Sequence, residues 1–478
     1  MDKNSLAKIN NWLWEVPKDS RKGMRVSARI YSSEKMLPLI EENALKQLIN
    51  ITTLPGIAKY AIGMPDIHSG YGPPIGGVGA IDVSQGVISP GFVGFDENCG
   101  VRLLKSEYIE KEIRPHLDKL ITEIQKKIPS GLGKTRETKL SFKEVDEILE
   151  EGVPGLIKKG YGTKNDIENC EEKGKMKGAD ASCVSERAKS RGRNQVGTLG
   201  SGNHFLEIQK VEEVFDSQKA KTFGLFENQI VIMIHTGSRG LGHQNCTDYL
   251  KTAGEALKKY QIDIPDREMA CMPFNSPEGQ RFFKAMCAAC NFAWANRQMI
   301  TFYIREIWEK ILGNGSKLEL LYDVAHNIAK IEEHEVNEVK KKLIIHRKGA
   351  TRAFPPGHAD VPERYRSVGQ PVLIPGSMGT SSFVLAGCAK SKEAWHTVNH
   401  GAGRIMSRKQ AVRQISGNEV VKELKRKGII IKSHSMSGIA EEAPIAYKNI
   451  DDVIEIVCNA GLAEKVARLV PLAVAKGE

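Results

Sequence analysis

The segment FVGFDENCGVRLL, Phe92–Leu104, sets a pattern that recurs through the chain. An apolar run meets a glycine-flanked turn, the turn carries Asp96 and Cys99, and a second apolar run follows. Short apolar runs bounded by turn residues read as buried strands. Outward from this segment the same reading applies to HFLEIQKV (204–211), NQIVIMIHTGS (228–238), LELLYDVAHN (318–327), KKLIIHRKG (341–349), QPVLIPGS (370–377) and SSFVLAGC (381–388). Helical patterns lie between them: IRPHLDKLITEIQKKI (113–128), CTDYLKTAGEALKKY (246–260), IEEHEVNEVKKKL (331–343) and IDDVIEIVCNAGLAEKVARLV (450–470). The stretch FFKAMCAACNFAWANRQMI (282–300) reads as a buried helix rich in small residues, so its Cys287–Cys290 pair is structural. Strands outnumber helices over the whole length, which predicts a mixed α/β (α+β) fold in one large domain, residues 1–478.

Composition narrows the function. With 41% hydrophobic and 27% charged residues the chain is globular, and it has no apolar run long enough to span a membrane. The first twenty residues lack an apolar core of signal-peptide length, so the cytoplasm is the expected location. Nine irregularly spaced cysteines do not form a disulfide framework. A net charge of +11 favours a polyanionic partner, while 6% aromatic residues do not suggest an extended base-stacking platform. Between Lys158 and Arg193, ten Lys/Arg against six Asp/Glu with little apolar pattern read as a solvated loop.

Four apolar runs end in metal-type ligands: Asp96 with Cys99, then His204, His235 and His326. A histidine at a strand end is more often a hydrogen-bonded core residue, but the fourfold recurrence points to a site at strand ends. Five donors exceed one closed tetrahedral site and suit two ions, with a Cys99 thiolate able to bridge them. On softness alone, cysteine and histidine favour zinc, and Asp96 leaves manganese, iron and cobalt open. HGAGR (400–404) leads into a basic helix carrying Arg404, Arg408, Lys409 and Arg413, an arrangement suited to phosphate, with His400 as binder or nucleophile. PGSMGTSS (375–382) adds amides and hydroxyls, and neither stretch matches a P-loop.

In this order, DENCGVR, GTLGSGNHFLE, HTGSRGLGHQ, DVAHN, HRKGATRA, PGSMGTSS and NHGAGR resemble the RtcB family of RNA-splicing ligases, from about MPDIHSGYGPPIGG at Met64 to Lys476. The resemblance implies two manganese ions, one on Asp96, Cys99 and His326, the other on Cys99, His204 and His235. It implies GTP as co-substrate and His400 as the guanylylated residue. Asn203, Phe205, Leu206, Glu207, Asn327, Pro375, Gly376, Ser377, Ser381, Gly401, Ala402, Gly403, Tyr447 and Lys476 fall at nucleotide-binding positions. Asp66, His68, Arg239 and Lys348 fall in motifs near the RNA ends. Glu97 stands where the family pattern leads one to expect a small or apolar residue. The implied substrates are cleaved transfer RNA exons, and the implied helper is the small protein archease. The rival reading of the same donors is a dinuclear metal phosphohydrolase acting on nucleic-acid ends through a metal-bound water.

Overall fold

A computed structural model describes residues 6–131 and 133–477. Two large sheets organise it. The central, eight-stranded sheet runs Glu319–Ala325, Gly100–Ile109, Gln229–Thr236, Phe205–Val214, Ala463–Lys476, Ser382–Gly387 and Pro371–Ile374, with Ile430–Ser433 lying parallel beside Ala463–Lys476. The second, seven-stranded sheet runs Ala7–Asn10, Leu13–Val16, Ser27–Tyr31, Ile57–His68, Ile75–Asp82, Val339–Lys348 and Asn327–Val336. QIVIMIHT (229–236) is buried at every position, as expected of a strand covered on both faces.

The antiparallel register explains the site. Ala325 pairs with Gly100, Val101 with His235, His235 with Phe205, and Phe205 with Lys476. One end of the central sheet therefore gathers the start of two strands and the finish of three. Cys99 and His204 immediately precede their strands, His235 sits near the finish of its own, and His326 follows its strand directly. The next residue, Asn327, opens the edge strand of the second sheet, so the chain crosses between sheets at the donor cluster.

The helix Pro277–Leu312 crosses behind these strand ends. It starts on Ser276, whose hydroxyl accepts from Gly279 N–H, with Pro277 in the first turn, and stops at Gly313 with φ 103°. Its middle, from Ala285 to Ile300, is buried throughout, Cys287 and Cys290 included. Arg297 on this helix is fully buried and pairs with Asp323 (2.9 Å). Its guanidinium also donates to the carbonyls of Asn98 (2.9 Å) and Thr236 (2.7 Å) and to Asn98 Oδ1 (3.0 Å). Arg102 reaches the same Asp323 carboxylate at 2.6 Å.

Several expectations need correction. IEEHEVNEVKKKL is not a helix; it is the hairpin of Asn327–Val336 and Val339–Lys348, turning at Asn337 and Glu338, both with positive φ. Its inward positions include Glu332 and His334, with Ile331 left 42% exposed, so polar groups occupy the core face and hide the period of two. Arg347 compensates Glu332 with two hydrogen bonds, the longer 2.9 Å. The C-terminal helix covers only Ile450–Asn459; Gly461 with φ 74° ends it, and AEKVARLV becomes strand. Phe92 and Val93 lie in a short helix, Pro90–Val93, rather than in a strand. The basic stretch 158–193 folds into short helices that bury Cys170, Met176, Val184 and Ala188, and Asp166 there is pinned by Arg305 at 2.6 Å.

Arg297→Met leaves two backbone carbonyls and part of a buried carboxylate unpaired. We expect a loss of about 3–5 kcal/mol in stability, read as a lowered urea midpoint; an unchanged midpoint would show that the guanidinium is dispensable.

Candidate metal and nucleotide site

Five donors converge where the register brings the strand ends together. Cys99 Sγ lies 3.3 Å from His204 Nε2 and 3.4 Å from His235 Nε2. His235 Nε2 is 3.3 Å from His326 Nε2, and His204 Nε2 is 2.9 Å from Asp96 Oδ2. Two groups of potential ligands emerge, Cys99–His235–His326 and Asp96–Cys99–His204, with Cys99 common to both. His204 Nδ1 faces the Leu199 carbonyl at 3.0 Å, which turns Nε2 toward the donors. Burial pushes the Cys99 thiol well above its usual value, and Asp96 adds to the shift. It holds His235 and His326 well below the ordinary histidine range, neutral as ligands must be. A set of one buried thiol, three buried imidazoles and a half-buried carboxylate suits cations, which would stabilise the thiolate that burial disfavours.

His400 stands beside this cluster, its ring centroid 4.9 Å from that of His326. Its Nδ1 is 2.7 Å from Oδ2 of Asp66, which also accepts from the N–H groups of His400 (3.2 Å) and Gly401 (3.3 Å). Asp66 is fully buried. With Nδ1 committed, Nε2 is the free nitrogen of His400.

A cavity of about 150 Å³ opens from His400 and His235 toward the C-terminal part of the chain. Its lining includes Asn203, Phe205, Ser377, Gly401, Arg404, Glu442, Tyr447 and Lys476. Arg404 donates to Glu442 (3.2 Å) and Tyr447 Oη (3.2 Å), and Tyr447 Oη also bonds Glu442. Burial lifts the Glu207 carboxyl to about 7, with Gln209 and Lys476 opposing the rise.

A family model described as "tRNA-splicing ligase RtcB" matches residues 47–477. The chain belongs to the RtcB family. Curated relatives named tRNA-splicing ligase RtcB include those of Archaeoglobus fulgidus, 52% identical over 476 residues, and Thermococcus kodakarensis, 51% identical over 477, each alignment covering 99% of both chains. That of Methanococcus maripaludis is 49% identical over 479 residues, covering 99% of this chain and all of the relative. RtcB proteins are ligases, so the chain is an enzyme.

Most residues singled out by the RtcB motifs meet at this site, and some take different places from those expected. The donors group as above rather than as Asp96–Cys99–His326 and Cys99–His204–His235, although the five residues are the same. Pro375, Gly376, Ala402 and Gly403 line the cavity. Leu206 points into the core beside Ile208, and Asn327 ties the Asp96 carbonyl (3.1 Å) to Gly349 N–H (2.9 Å). Ser381 closes the 375–382 turn, where a side chain at Gly376 would meet its carbonyl at 2.1 Å. His68 Nδ1 is 2.9 Å from the Asp66 carbonyl, and its ring stands 6.5 Å from that of His400. Arg239 N–H donates to Asp96 Oδ1 at 3.2 Å. Lys348 is buried, donating to the carbonyls of Tyr71, Pro73 and Gly91.

The helix expected directly behind HGAGR begins later, at Arg408, capped by Ser407. Glu97 is fully buried and accepts both contacts from Asn245 Nδ2, at 2.9 and 3.1 Å; burial pushes its carboxyl well above the usual range. Glu442, which joins Arg404, Arg408 and Tyr447, was not singled out from the sequence. The adjacent acids of EEAPIAY, five residues before an aromatic in a basic region, were its only signal.

Because Cys99 belongs to both donor groups and His235 to one, Cys99→Ala should lose more bound divalent metal than His235→Ala when both are analysed after manganese loading and dialysis. Equal retention would exclude this ligand set.

Proposed function

We propose that the enzyme joins RNA 2′,3′-cyclic phosphate or 3′-phosphate ends to 5′-hydroxyl ends through a guanylylated His400, using GTP and two manganese ions. The observation that carries the reading is a histidine whose Nδ1 is held by buried Asp66, whose ring lies 4.9 Å from a candidate ligand, and which lines a cavity. Asp96, Cys99, His204, His235 and His326 would hold the ions, which when bound supply charge stabilisation to phosphate oxygens.

The residues divide the work as follows. Asp66 keeps the His400 proton on Nδ1, so Nε2 attacks the α-phosphorus of GTP and pyrophosphate leaves. Asn203, Phe205, Tyr447 and Lys476 surround the nucleotide, with Ser377 and the 401–403 turn beside its phosphate. A cyclic end is first opened by water to a 3′-phosphate. The 3′-phosphate then takes the guanylate and frees His400. The 5′-hydroxyl attacks that activated phosphorus, GMP leaves, and the junction phosphate comes from the upstream strand. Cleaved transfer RNA exons are the proposed substrates, in tRNA splicing and RNA repair, with archease as helper and the cytoplasm as location. Among the described residues no helix is long and apolar enough to cross a membrane.

Intact-mass analysis after incubation with GTP and manganese should show one added GMP, absent in His400→Ala. An adduct on lysine would overturn the assignment. RNA fragments bearing a labelled 3′-phosphate and a 5′-hydroxyl should be joined with the label retained internally; removal of the label without joining would favour the phosphohydrolase.

Asp66→Asn cannot accept the Nδ1 proton in the same way. It should slow GMP attachment by about two to four orders of magnitude in a single-turnover assay with labelled GTP. A rate within a few-fold of the parent would remove Asp66 from the mechanism.

A further inference from the structure

Three aromatic side chains meet at the rim of the donor cluster. The Tyr71 ring meets Phe95 edge-on, centroids 5.2 Å apart at 66°, and Phe95 lies nearly parallel to His243, 4.9 Å away at 25°. Phe95 immediately precedes the donor Asp96. His243 is in the first turns of helix Arg239–Lys259, whose first N–H donates to Asp96. Both outer members of the ladder face water: Tyr71 is 38% exposed, and His243 is exposed as well.

The support under this ladder is rigid. Lys348 Nζ donates to the Tyr71 carbonyl and, at 2.9 Å each, to those of Pro73 and Gly91. Gly72 N–H donates to Glu268 Oε2 at 2.8 Å, and its φ of 64° with a would-be Cβ 2.4 Å from the Glu268 carbonyl leaves room only for glycine. The loop bearing Tyr71 is thus fastened at both flanks, and its ring is held ready at little entropic cost. Nothing in the packing of the core calls for two rings left in solvent on either side of Phe95. In a chain with only 6% aromatic residues, their meeting beside the donors calls for a ligand with a flat apolar face.

We propose that Tyr71, Phe95 and His243 form a stacking subsite for an unpaired nucleobase next to the RNA end being joined. The inference rests on the ligase reading above. Single-stranded ends present splayed bases, and Tyr, Phe and His rings are suited to stack on them. Arg191 borders the ladder: it donates to Gln244 on the same helix as His243, and its charge bears on the His243 ring. That charge attracts the phosphate attached to the stacked base. A base also distinguishes this subsite from the guanine cavity, which is lined by other residues apart from the shared neighbourhood of the donors.

The test uses the full chain, manganese and short single-stranded RNAs carrying 2-aminopurine at either terminal nucleotide, whose fluorescence is quenched by stacking. Quenching is expected with the parent protein at one of the two ends, retained in Tyr71→Phe and lost in Tyr71→Leu and His243→Leu. The second leucine variant, on an exposed helix position, serves if the first does not fold. In joining assays Tyr71→Leu should raise the RNA KM roughly tenfold or more with little change in kcat. An abasic terminal nucleotide should raise the parent's KM equally and add nothing in the variant. Quenching that persists in both leucine variants, or equal KM for abasic and intact ends in the parent, overturns the subsite. Failure of the ligase reading looks different: the parent itself neither gains GMP nor joins ends, while the quenching still reports on stacking because it needs no turnover.

Discussion

A guanidinium without access to water governs the geometry of the site. Arg297 bonds the carbonyl of Asn98, the carbonyl of Thr236 and the carboxylate of Asp323, three groups on three different strands or their approaches. Each lies within three residues of a donor: Cys99, His235 and His326. Burying such a charge costs several kcal/mol unless it is fully paired, and here every contact that offsets the cost also fixes the spacing of the donors. Glu171 repeats the device from another direction, accepting from Ala325 N–H at 2.8 Å just before His326, with Lys330 as its counter-ion. The metal-type ligands sit on backbone that cannot drift independently.

The site also depends on two sheets meeting. The central sheet supplies Cys99, His204 and His235; the second supplies Asp66 near the finish of Ile57–His68. His326 lies at the passage between them, and His400 arrives on a third piece, after the short strand Thr397–Asn399 that pairs with Ala350–Arg352. The Asp66–His400 contact therefore joins residues 334 positions apart in sequence. Nucleophile, donors and nucleotide cavity are each built by different segments, and the seam between sheets is where they come into register.

Much of this was legible in the sequence because apolar strands announce themselves. NQIVIMIH and LELLYDVAH show both the strand and the donor at its end, and the order of the motifs resembles that of the RtcB family. The hairpin 327–348 was not legible as a hairpin, since Glu332 and His334 occupy its inner face, His334 bonded to Glu332 and Glu332 neutralised by Arg347, a partner invisible from local pattern. Asp66 could be associated with the active region but not with His400, because only the tertiary fold sets the 2.7 Å contact. Arg297 looked like one more residue of a buried helix, and the basic run 158–193 looked like a loop. In both cases the decisive partners, Asp323 and Arg305, are far away in sequence.

The strand Ala463–Lys476 lies between Phe205–Val214 and Ser382–Gly387, in the interior of the central sheet. A chain made only through residue 460 therefore leaves Phe205–Val214, Ser382–Gly387 and Ile430–Ser433 each with an unsatisfied edge along the same vacant slot. Such edges are sticky toward other chains, and the long-range pairings that fill the slot form slowly. The nucleotide cavity, which Lys476 lines, therefore closes only when this strand joins its neighbours, and the same event that seals the sheet completes the pocket.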